Sequence, residues 1–231
     1  MSSDRTLAGD DLSVFVGVRD WVFDLDDTLY PPESGIFKAV MSRIRAYTAR
    51  VLGCSPEDAR AMQKDYAARY GTTLRGLMEE HGVDPEAFLA DAHDVDYSAL
   101  KPHPHLASAL SRLPGRKFIL TSGTHAHVGR TLSRLAISDS FDGVFDIIDA
   151  DYLPKPAEAT YTTFMHRFAI EPTAAAMFED APRNLVVPRT LGMRTILVVG
   201  DMSARREAPS ADFVTADLPC FLSQVADALS I

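Results

Sequence analysis

The sequence predicts an α/β protein whose core is a Rossmann-like, doubly wound parallel sheet with an inserted all-helical cap. Two observations predict the core: short apolar runs rich in β-branched residues recur along the chain, and the segments after the later runs have helical patterns. A third observation predicts the insert, because one long stretch with helical spacing alone interrupts this alternation. With 231 residues, 46% of them hydrophobic, the chain is long enough to bury a large core.

Four runs are predicted to be buried strands, in the order RDWVFDL, RKFILTS, AAMFED and RTILVV. An earlier run, LSVFVGV, is either an edge strand or part of a loose N-terminal arm, and the role of residues 1–18 stays open. We expect the core domain to comprise residues 1–32 and 101–231. The Pro-rich segment KPHPH is expected to be the hinge that returns the chain to the core.

Residues 33–100 are predicted to form the cap domain, here called the helical insert. Its first helix is indicated by apolar residues at helical spacing, and its second by Ser55 as N-cap before a proline. Gly71 and Gly82 are placed to end the second and third helices. The segment DPEAFLADAH then starts a fourth helix.

Composition argues against several classes of partner. The formal net charge of -9 disfavours a nucleic-acid polymer or an anionic membrane surface. No apolar run approaches the roughly 18 residues of a membrane span, so we expect a cytoplasmic protein. The two cysteines, Cys54 and Cys220, form no CxxC metal motif and indicate no disulfide framework. The sequence leaves the oligomeric state open.

The segment DLDDT directly follows the first core strand and places Asp24 and Asp26 where ligands bind in an open parallel sheet. Burying two neighbouring carboxylates is unfavourable unless a cation compensates them or one holds a proton. They are therefore suited to hold Mg²⁺, or to act as nucleophile and proton carrier. The alternative is a strand end whose acidic turn residues cap the next helix. An EF-hand loop is disfavoured, because Thr28 and Leu29 occupy the positions of its third ligand and glycine.

DLDDT, KFILTSG, PKP and MFEDAPRN resemble, in order, the four motifs of the haloacid dehalogenase-like hydrolase superfamily. The resemblance covers about Trp21 to Val199, and the helical insert matches the position of the family's cap. It implies a Mg²⁺-dependent phosphomonoesterase in which Asp24 attacks phosphorus and forms an aspartyl-phosphate. Asp26 would protonate the leaving alcohol and then activate water.

The same resemblance implies how the phosphate group is bound. The Thr121 hydroxyl and the backbone amides at Ser122 and Gly123 would donate hydrogen bonds to phosphate oxygens. Lys155 would supply a positive charge beside them.

It also implies a metal site. Asp24, the main-chain carbonyl of Asp26, and Asp180 would bind Mg²⁺. Glu179 would support this site or bind the metal, and Asn184 would help to orient Asp180.

The presence of Asp26 separates branches of the superfamily. Dehalogenases lack this second aspartate, because a halide leaves without a proton, whereas phosphatases and sugar-phosphate mutases keep it. A phosphatase is favoured, with a small-molecule phosphomonoester as partner. An alternative of another class is a non-catalytic metal-binding regulatory protein on the same fold.

The segment RYGTTLRGLMEEHGVD resembles the YGxxLxGL segment of the pyrimidine 5'-nucleotidase branch, which implies nucleoside 5'-monophosphates as substrates. Tyr30, Tyr70 and Arg75 would then lie at the mouth of the site and contact the substrate. Ser122 and Asp27 each replace an asparagine that is frequent in this branch. Phosphoglycolate, sugar phosphates and pyridoxal phosphate stay open as alternative substrates.

Two His-x-His pairs, HPH from His103 and HAH from His125, do not have the spacing of a zinc site. We interpret them as helix-capping or solvent-exposed residues. His125 follows the second motif closely enough for a further hypothesis, that it lines the phosphate pocket.

Overall fold

The computed structural model describes residues 11–201 and 211–229, and within them a six-stranded, wholly parallel sheet forms the core. The strand order is β3-β2-β1-β4-β5-β6. This arrangement confirms the predicted fold class. The strands are β1 Asp20–Phe23, β2 Arg116–Leu120, β3 Gly143–Phe145, β4 Ala175–Glu179, β5 Arg194–Val198 and β6 Phe213–Thr215.

Helices cover both faces of this sheet and form the helical insert between β1 and β2. The insert contains α1 Ile36–Leu52, α2 Pro56–Tyr70, α3 Thr73–His81 and α4 Pro85–Ala92. The other helices are α5 Pro104–Arg112, α6 His125–Leu135, α7 Glu158–Phe168, α8 Val186–Thr190 and α9 Leu218–Leu229. None of the helices in the described ranges is long and apolar enough to cross a membrane.

The central strand β1 is buried on both faces. Its Trp21 and Phe23 belong to one apolar cluster with residues of α5, α6 and α9. Val22 points to the opposite face and packs in a second cluster with residues of α7. A strand buried on both sides reads as a continuous apolar run, which is why β1 was predictable from WVF.

The helical insert begins and ends its helices at the predicted signals. The Ser55 hydroxyl accepts a hydrogen bond of 3.1 Å from the backbone N–H of Asp58. Gly71 and Gly82 follow α2 and α3 with φ of 85° and 61°, which favours glycine. The insert has its own apolar cluster, which Ile147 from the loop after β3 joins. The insert therefore packs against the sheet at that loop.

One segment whose structure the sequence left open is a 3-10 helix, and two strands were not predicted. The run LSVFVGV, for which an edge strand and an N-terminal arm both stayed open, contains the 3-10 helix Leu12–Phe15. Phe15 is fully buried and stacks on Trp21 with ring centroids 6.0 Å apart, so burial explains the apolar pattern. Residues 1–10 of the open N-terminal segment lie outside the described residues. Strands β3 and β6 contain three residues each, too few to give a periodic signal.

Candidate active site

The carboxyl ends of three neighbouring strands form the candidate site. Asp24 follows β1, Thr121 follows β2, and Asp180 follows β4. Because β2, β1 and β4 are adjacent and parallel, their ends meet at one edge of the sheet. All three residues line one cavity of about 320 Å³ together with Lys155.

Lys155 is buried at the centre of this site. Its Nζ donates hydrogen bonds to Asp24 Oδ1 at 2.6 Å, to Glu179 Oε1 at 2.7 Å and to the Leu120 carbonyl at 2.9 Å. Burial opposes its charge, but the two carboxylates hold the pKa of Lys155 above its usual value. The side chain therefore stays a cation beside Asp24.

The site contains more buried carboxylates than buried cationic groups. Burial raises the pKa of Asp24, although Lys155 opposes this shift. Burial and the charges of Glu179 and Asp24 also raise the pKa of Asp180. One lysine thus does not compensate this group of acids, and a further cation would favour their ionised forms.

The donor set fits a hard divalent cation. Carboxylate oxygens of Asp24, Glu179 and Asp180 lie within 4.8 Å of one another. Glu179 already accepts hydrogen bonds from Lys155, from the backbone N–H of Ala181 at 2.7 Å and from a side-chain amide. Asp24 accepts from Lys155 and Asp180 shares a hydrogen bond with Glu179, so each has fewer partners than Glu179 and is better placed to bind Mg²⁺.

Asn184 supplies that amide. Its Nδ2 donates a hydrogen bond of 2.6 Å to Glu179 Oε1, and its backbone carbonyl accepts one of 2.7 Å from the Tyr161 hydroxyl. The sequence interpretation linked Asn184 with Asp180, whereas its side-chain contact in the structure is with Glu179. Asn184 therefore supports the acid that holds Lys155.

Asp26 lies beside Asp24 but has separate partners. Its Oδ1 accepts hydrogen bonds from the Tyr30 hydroxyl and from His127 Nε2, the latter at 2.7 Å. Burial alone would raise the pKa of Asp26, but these hydrogen bonds and the His127 charge hold it below its usual value. The two aspartates of DLDDT consequently have pKa values shifted in opposite directions, and without a bound phosphate group the contacts of Asp26 favour its ionised form.

The loop after β2 forms the side of the cavity where a phosphate group is expected. The Thr121 hydroxyl accepts a hydrogen bond of 3.0 Å from the backbone N–H of Gly123, which leaves its own O–H free to donate. Thr121 is buried, Ser122 is exposed, and both line the cavity with Gly123. The structure brings these residues within the same cavity as Lys155.

The residues proposed for substrate specificity lie elsewhere. Tyr30 is buried and donates to Asp26. The Tyr70 hydroxyl donates to Glu80 at 2.8 Å, and the Arg75 guanidinium pairs with Glu79 at 2.7 Å. Tyr30, Tyr70 and Arg75 are absent from the cavity lining, whose insert side is mainly apolar: Phe37, Met41, Ile44, Leu74, Phe88 and Leu89.

The histidine interpretation was right for one pair and wrong for a residue of the other. His103 Nδ1 caps α5 by accepting from the backbone N–H of Leu106 at 3.2 Å. His125 contacts Asp146 and does not line the cavity, but His127 is fully buried and contacts Asp26. Helical spacing could have identified it, since His127 shares the buried face of α6 with Val128, Thr131, Leu132 and Leu135.

A second group of potential metal ligands, His125, Asp146 and Asp149, already has partners. Asp146 accepts hydrogen bonds from the backbone N–H groups of His125, Ile148 and Asp149. His125 Nδ1 lies 2.8 Å from the same carboxylate. These contacts account for the cluster without a metal.

Two curated relatives carry phosphate-related names. Glyceraldehyde 3-phosphate phosphatase of Methanopyrus kandleri is 28% identical over 215 residues, which cover 85% of this chain and 92% of that protein. Phosphate metabolism protein 8 of Saccharomyces cerevisiae is 24% identical over 193 residues. The second match covers 76% of this chain but 60% of the yeast protein, so the chain spans only part of that relative.

Solved structures share the fold. A haloacid dehalogenase-like phosphatase from Thermococcus onnurineus superposes with a TM-score of 0.59 at 20% identity, covering 92% of this chain and 98% of that chain. L-2-haloacid dehalogenase from Xanthobacter autotrophicus gives a TM-score of 0.57 at 20% identity, covering 91% and 97%. At these identities the likeness concerns the fold alone.

The family match extends over most of the sheet and the whole helical insert. The family described as haloacid dehalogenase-like hydrolase matches residues 21–187, which include Asp24, Thr121, Lys155 and Asp180. The matched range is more than half of the chain. This chain therefore belongs to the haloacid dehalogenase-like hydrolase family.

Proposed function

We propose that the protein is a Mg²⁺-dependent phosphoric monoester hydrolase that acts through an aspartyl-phosphate on Asp24. The observation that carries this proposal is the position of Asp24, 2.6 Å from buried Lys155 and in the same cavity as Asp26, Thr121 and Asp180. A nucleophile, a proton carrier and a cation thus converge on one cavity. The phosphatase name of the relative from Methanopyrus kandleri supports the same reaction class.

The carboxylates of Asp24 and Asp180, with the main-chain carbonyl of Asp26, would hold the Mg²⁺. When bound, the cation supplies positive charge that offsets the phosphate oxygens and the surrounding acids. The protein adds the Lys155 ammonium, the Thr121 hydroxyl and the backbone amide of Ser122, whereas the Gly123 amide already donates to Thr121.

The reaction follows from the two aspartates. Asp26 takes up a proton when the anionic phosphate group binds beside it, because that charge raises its pKa. A carboxylate oxygen of Asp24 then attacks phosphorus, the ester P–O bond breaks, and Asp26 gives this proton to the departing alkoxide oxygen. Asp26, now ionised, takes a proton from water as the water oxygen attacks phosphorus. The bond between Asp24 and phosphorus then breaks, which releases inorganic phosphate and restores both acids.

We propose nucleoside 5'-monophosphates, pyrimidine nucleotides in particular, as substrates. Among the described residues, those of the helical insert that line the cavity include no lysine, arginine, aspartate or glutamate. A neutral, partly aromatic leaving group matches this surface better than a second anionic group, as in phosphoglycolate. Tyr70 and Arg75 would reach such a substrate only after moving from their present partners.

A second candidate is glyceraldehyde 3-phosphate, which the name of the 28% identical relative supports. Its leaving group is also neutral, but it is small and lacks an aromatic ring. Substrate preference therefore separates the two candidates.

The test is phosphate release from a panel of UMP, CMP, dUMP, purine monophosphates, glyceraldehyde 3-phosphate, phosphoglycolate and pyridoxal phosphate, with Mg²⁺ or EDTA. We expect Mg²⁺-dependent release that Asp24→Asn lowers by roughly 100-fold or more. Asp149→Asn, an acid-to-amide change outside the cavity lining, is the matched control and should retain activity. Release that is indifferent to Asp24 would refute the mechanism, and a preference for glyceraldehyde 3-phosphate would refute the nucleotide assignment.

A further inference from the structure

The carboxylate of Asp26 has an asymmetric set of hydrogen bonds. Both the Tyr30 hydroxyl and His127 Nε2 contact Oδ1, and no described residue donates to Oδ2. Asp26 is partly accessible and lines the cavity, so Oδ2 is the oxygen left to exchange a proton. The two hydrogen-bond donors that contact Oδ1 thus determine that Oδ2 is the oxygen that exchanges the proton.

His127 is itself held on several sides. Its ring is fully buried and stacks on the ring of His93, with centroids 4.5 Å apart and planes 17° from parallel. Its Nδ1 lies 2.8 Å from the Tyr97 hydroxyl. Gly123 leaves room for the ring edge, because a Cβ at that position would lie 2.8 Å from His127 Cδ2. The imidazole therefore has little freedom to turn away from Asp26.

The neighbouring hydrogen bonds fix the orientation of the His127 ring. The Tyr97 hydroxyl lies within hydrogen-bond distance of both the His93 carbonyl, at 3.1 Å, and His127 Nδ1. The hydroxyl donates to that carbonyl, which also accepts from Arg130 Nη1 at 3.1 Å. With Nδ1 held by the Tyr97 hydroxyl, His127 Nε2 is directed at Asp26 Oδ1.

These supports come from two parts of the fold. His127 and Arg130 belong to α6, whereas His93 and Tyr97 belong to residues 93–97, here called the return segment, which follows α4. The return segment leads the chain from the helical insert back towards the sheet. The end of the insert is thereby in contact with the partner of Asp26.

We propose that His127 is a positioning residue for Asp26, and that the return segment holds His127 in place. The inference rests on the proposed function, in which Asp26 passes a proton to the leaving alkoxide. His127 keeps Oδ1 occupied as a hydrogen-bond acceptor, so that Oδ2 carries the proton and meets the leaving oxygen.

The test compares two esters that differ in their need for that proton. An alkyl phosphate, the fastest substrate of the panel above, leaves as an alkoxide that must be protonated. p-Nitrophenyl phosphate leaves as a stable anion that needs no proton. The measured quantity is kcat/KM for each ester, which reports the steps up to the first irreversible one, here phosphoryl transfer to Asp24. The ratio of the two values is independent of the fraction of folded enzyme.

We expect His127→Leu to lower kcat/KM for the alkyl ester roughly tenfold or more, and that for p-nitrophenyl phosphate less than about threefold. His127→Gln places an amide donor near the position of Nε2 and should restore most of the ratio. His125→Leu, two residues earlier on the same helix and without contact to Asp26, is the matched control and should leave the ratio unchanged. In an Asp26→Asn background, His127→Leu should cause no further change in the ratio.

Equal losses for both esters in an active enzyme would overturn the positioning role and leave the proposed function intact. A ratio that His127→Leu still changes in the Asp26→Asn background would also overturn it, because the effect would then bypass Asp26. If the wild type released phosphate from neither ester, the proposed function would fail and this inference would fail with it.

Discussion

Lys155 and His93 show how burial acts differently on two basic residues near the site. Lys155 keeps its charge, because three acceptors surround its ammonium group and two of them are carboxylates. His93 is also buried, but burial and the neighbouring His127 lower its pKa to about 4. The first residue is a fixed cation, whereas the second is neutral at neutral pH.

The shifted pKa of His93 predicts how stability depends on pH. The ordinary pKa is 6.5 and the folded value about 4, so the unfolded state binds more protons between these values. The free energy of unfolding therefore falls as the pH drops from about 6.5 to 4, with His93 contributing at most about 3 kcal/mol. His93→Phe keeps an aromatic ring against His127 but removes the titration.

Urea denaturation of both proteins from pH 7 to pH 4 measures this contribution. We expect the free energy of unfolding to decline less steeply in His93→Phe than in the wild type over this window. Parallel curves for the two proteins would show that protonation of His93 is not linked to unfolding.

Individual residues of the candidate site could be predicted from the sequence only where they belong to a recognised motif. Asp24, Lys155 and Asp180 occur in short patterns at strand ends, and the structure brings them into one cavity. Asp26 contacts His127, which lies about a hundred positions further along the chain. No local sequence pattern connects two residues that are this far apart. Tyr70 and Arg75 contact acidic residues of α3, and these acids compete with a substrate for the two side chains. The spacing of Tyr70 and Arg75 from the phosphate-binding motifs does not reveal this competition.

At the scale of elements, the packing of α2 on α3 explains one glycine of the YGTTLRGL segment. A Cβ on Gly76 would lie 2.7 Å from the Cβ of Tyr66 and closer still to its ring, which is fully buried. The glycine therefore permits close approach of the two helices. This packing role requires no contact between Gly76 and a substrate.

We predict that Gly76→Ala destabilises the protein by roughly 1–3 kcal/mol, because overlap with Tyr66 outweighs the better helix propensity of alanine. Gly129→Ala is the matched control within α6, since nothing lies within 4 Å of a Cβ at that position. It should stabilise the protein by about 0.5–1 kcal/mol. Chemical denaturation of the two variants measures both changes, and equal effects of the same sign would contradict the packing argument.

Helices and strands could be predicted best where they are long and have clear sequence signals at their ends. The four helices of the insert have apolar spacing together with Ser, Pro and Gly at their ends, so their positions followed from local chemistry. Leu12–Phe15 resembled a strand, because Val14 and Phe15 are β-formers. The segment is a 3-10 helix, and its Phe15 packs against Trp21, a tertiary contact that a local pattern does not reveal.

For the whole molecule, the excess of buried acid predicts coupling between metal and stability. Mg²⁺ that binds the folded protein should raise its free energy of unfolding by about 2.7 kcal/mol at a hundred times the dissociation constant. Asp180→Asn should abolish this increase, because it removes an oxygen ligand that carries charge. Asp149→Asn, in the other acidic cluster, should retain it.

Thermal or urea denaturation with Mg²⁺ and with EDTA measures this coupling without any assay of turnover. If Mg²⁺ stabilised Asp180→Asn as much as it stabilises the wild type, the metal would bind at another site. Loss of stabilisation in Asp149→Asn would point to the cluster around His125.

The two chain crossings between the sheet and the helical insert bear on how modular this protein is. The first crossing starts directly after DLDDT, and the second includes the return segment that contacts His127. A graft that exchanges the insert for that of a relative therefore also exchanges the support of the proton carrier, unless residues 93–97 are kept. A chimera whose junction lies before His93 keeps residues 93–97 of this protein, so it should acquire the relative's substrate preference and preserve the chemistry. A chimera whose junction lies after Tyr97 loses these residues and should also lose selectivity for leaving groups that need a proton.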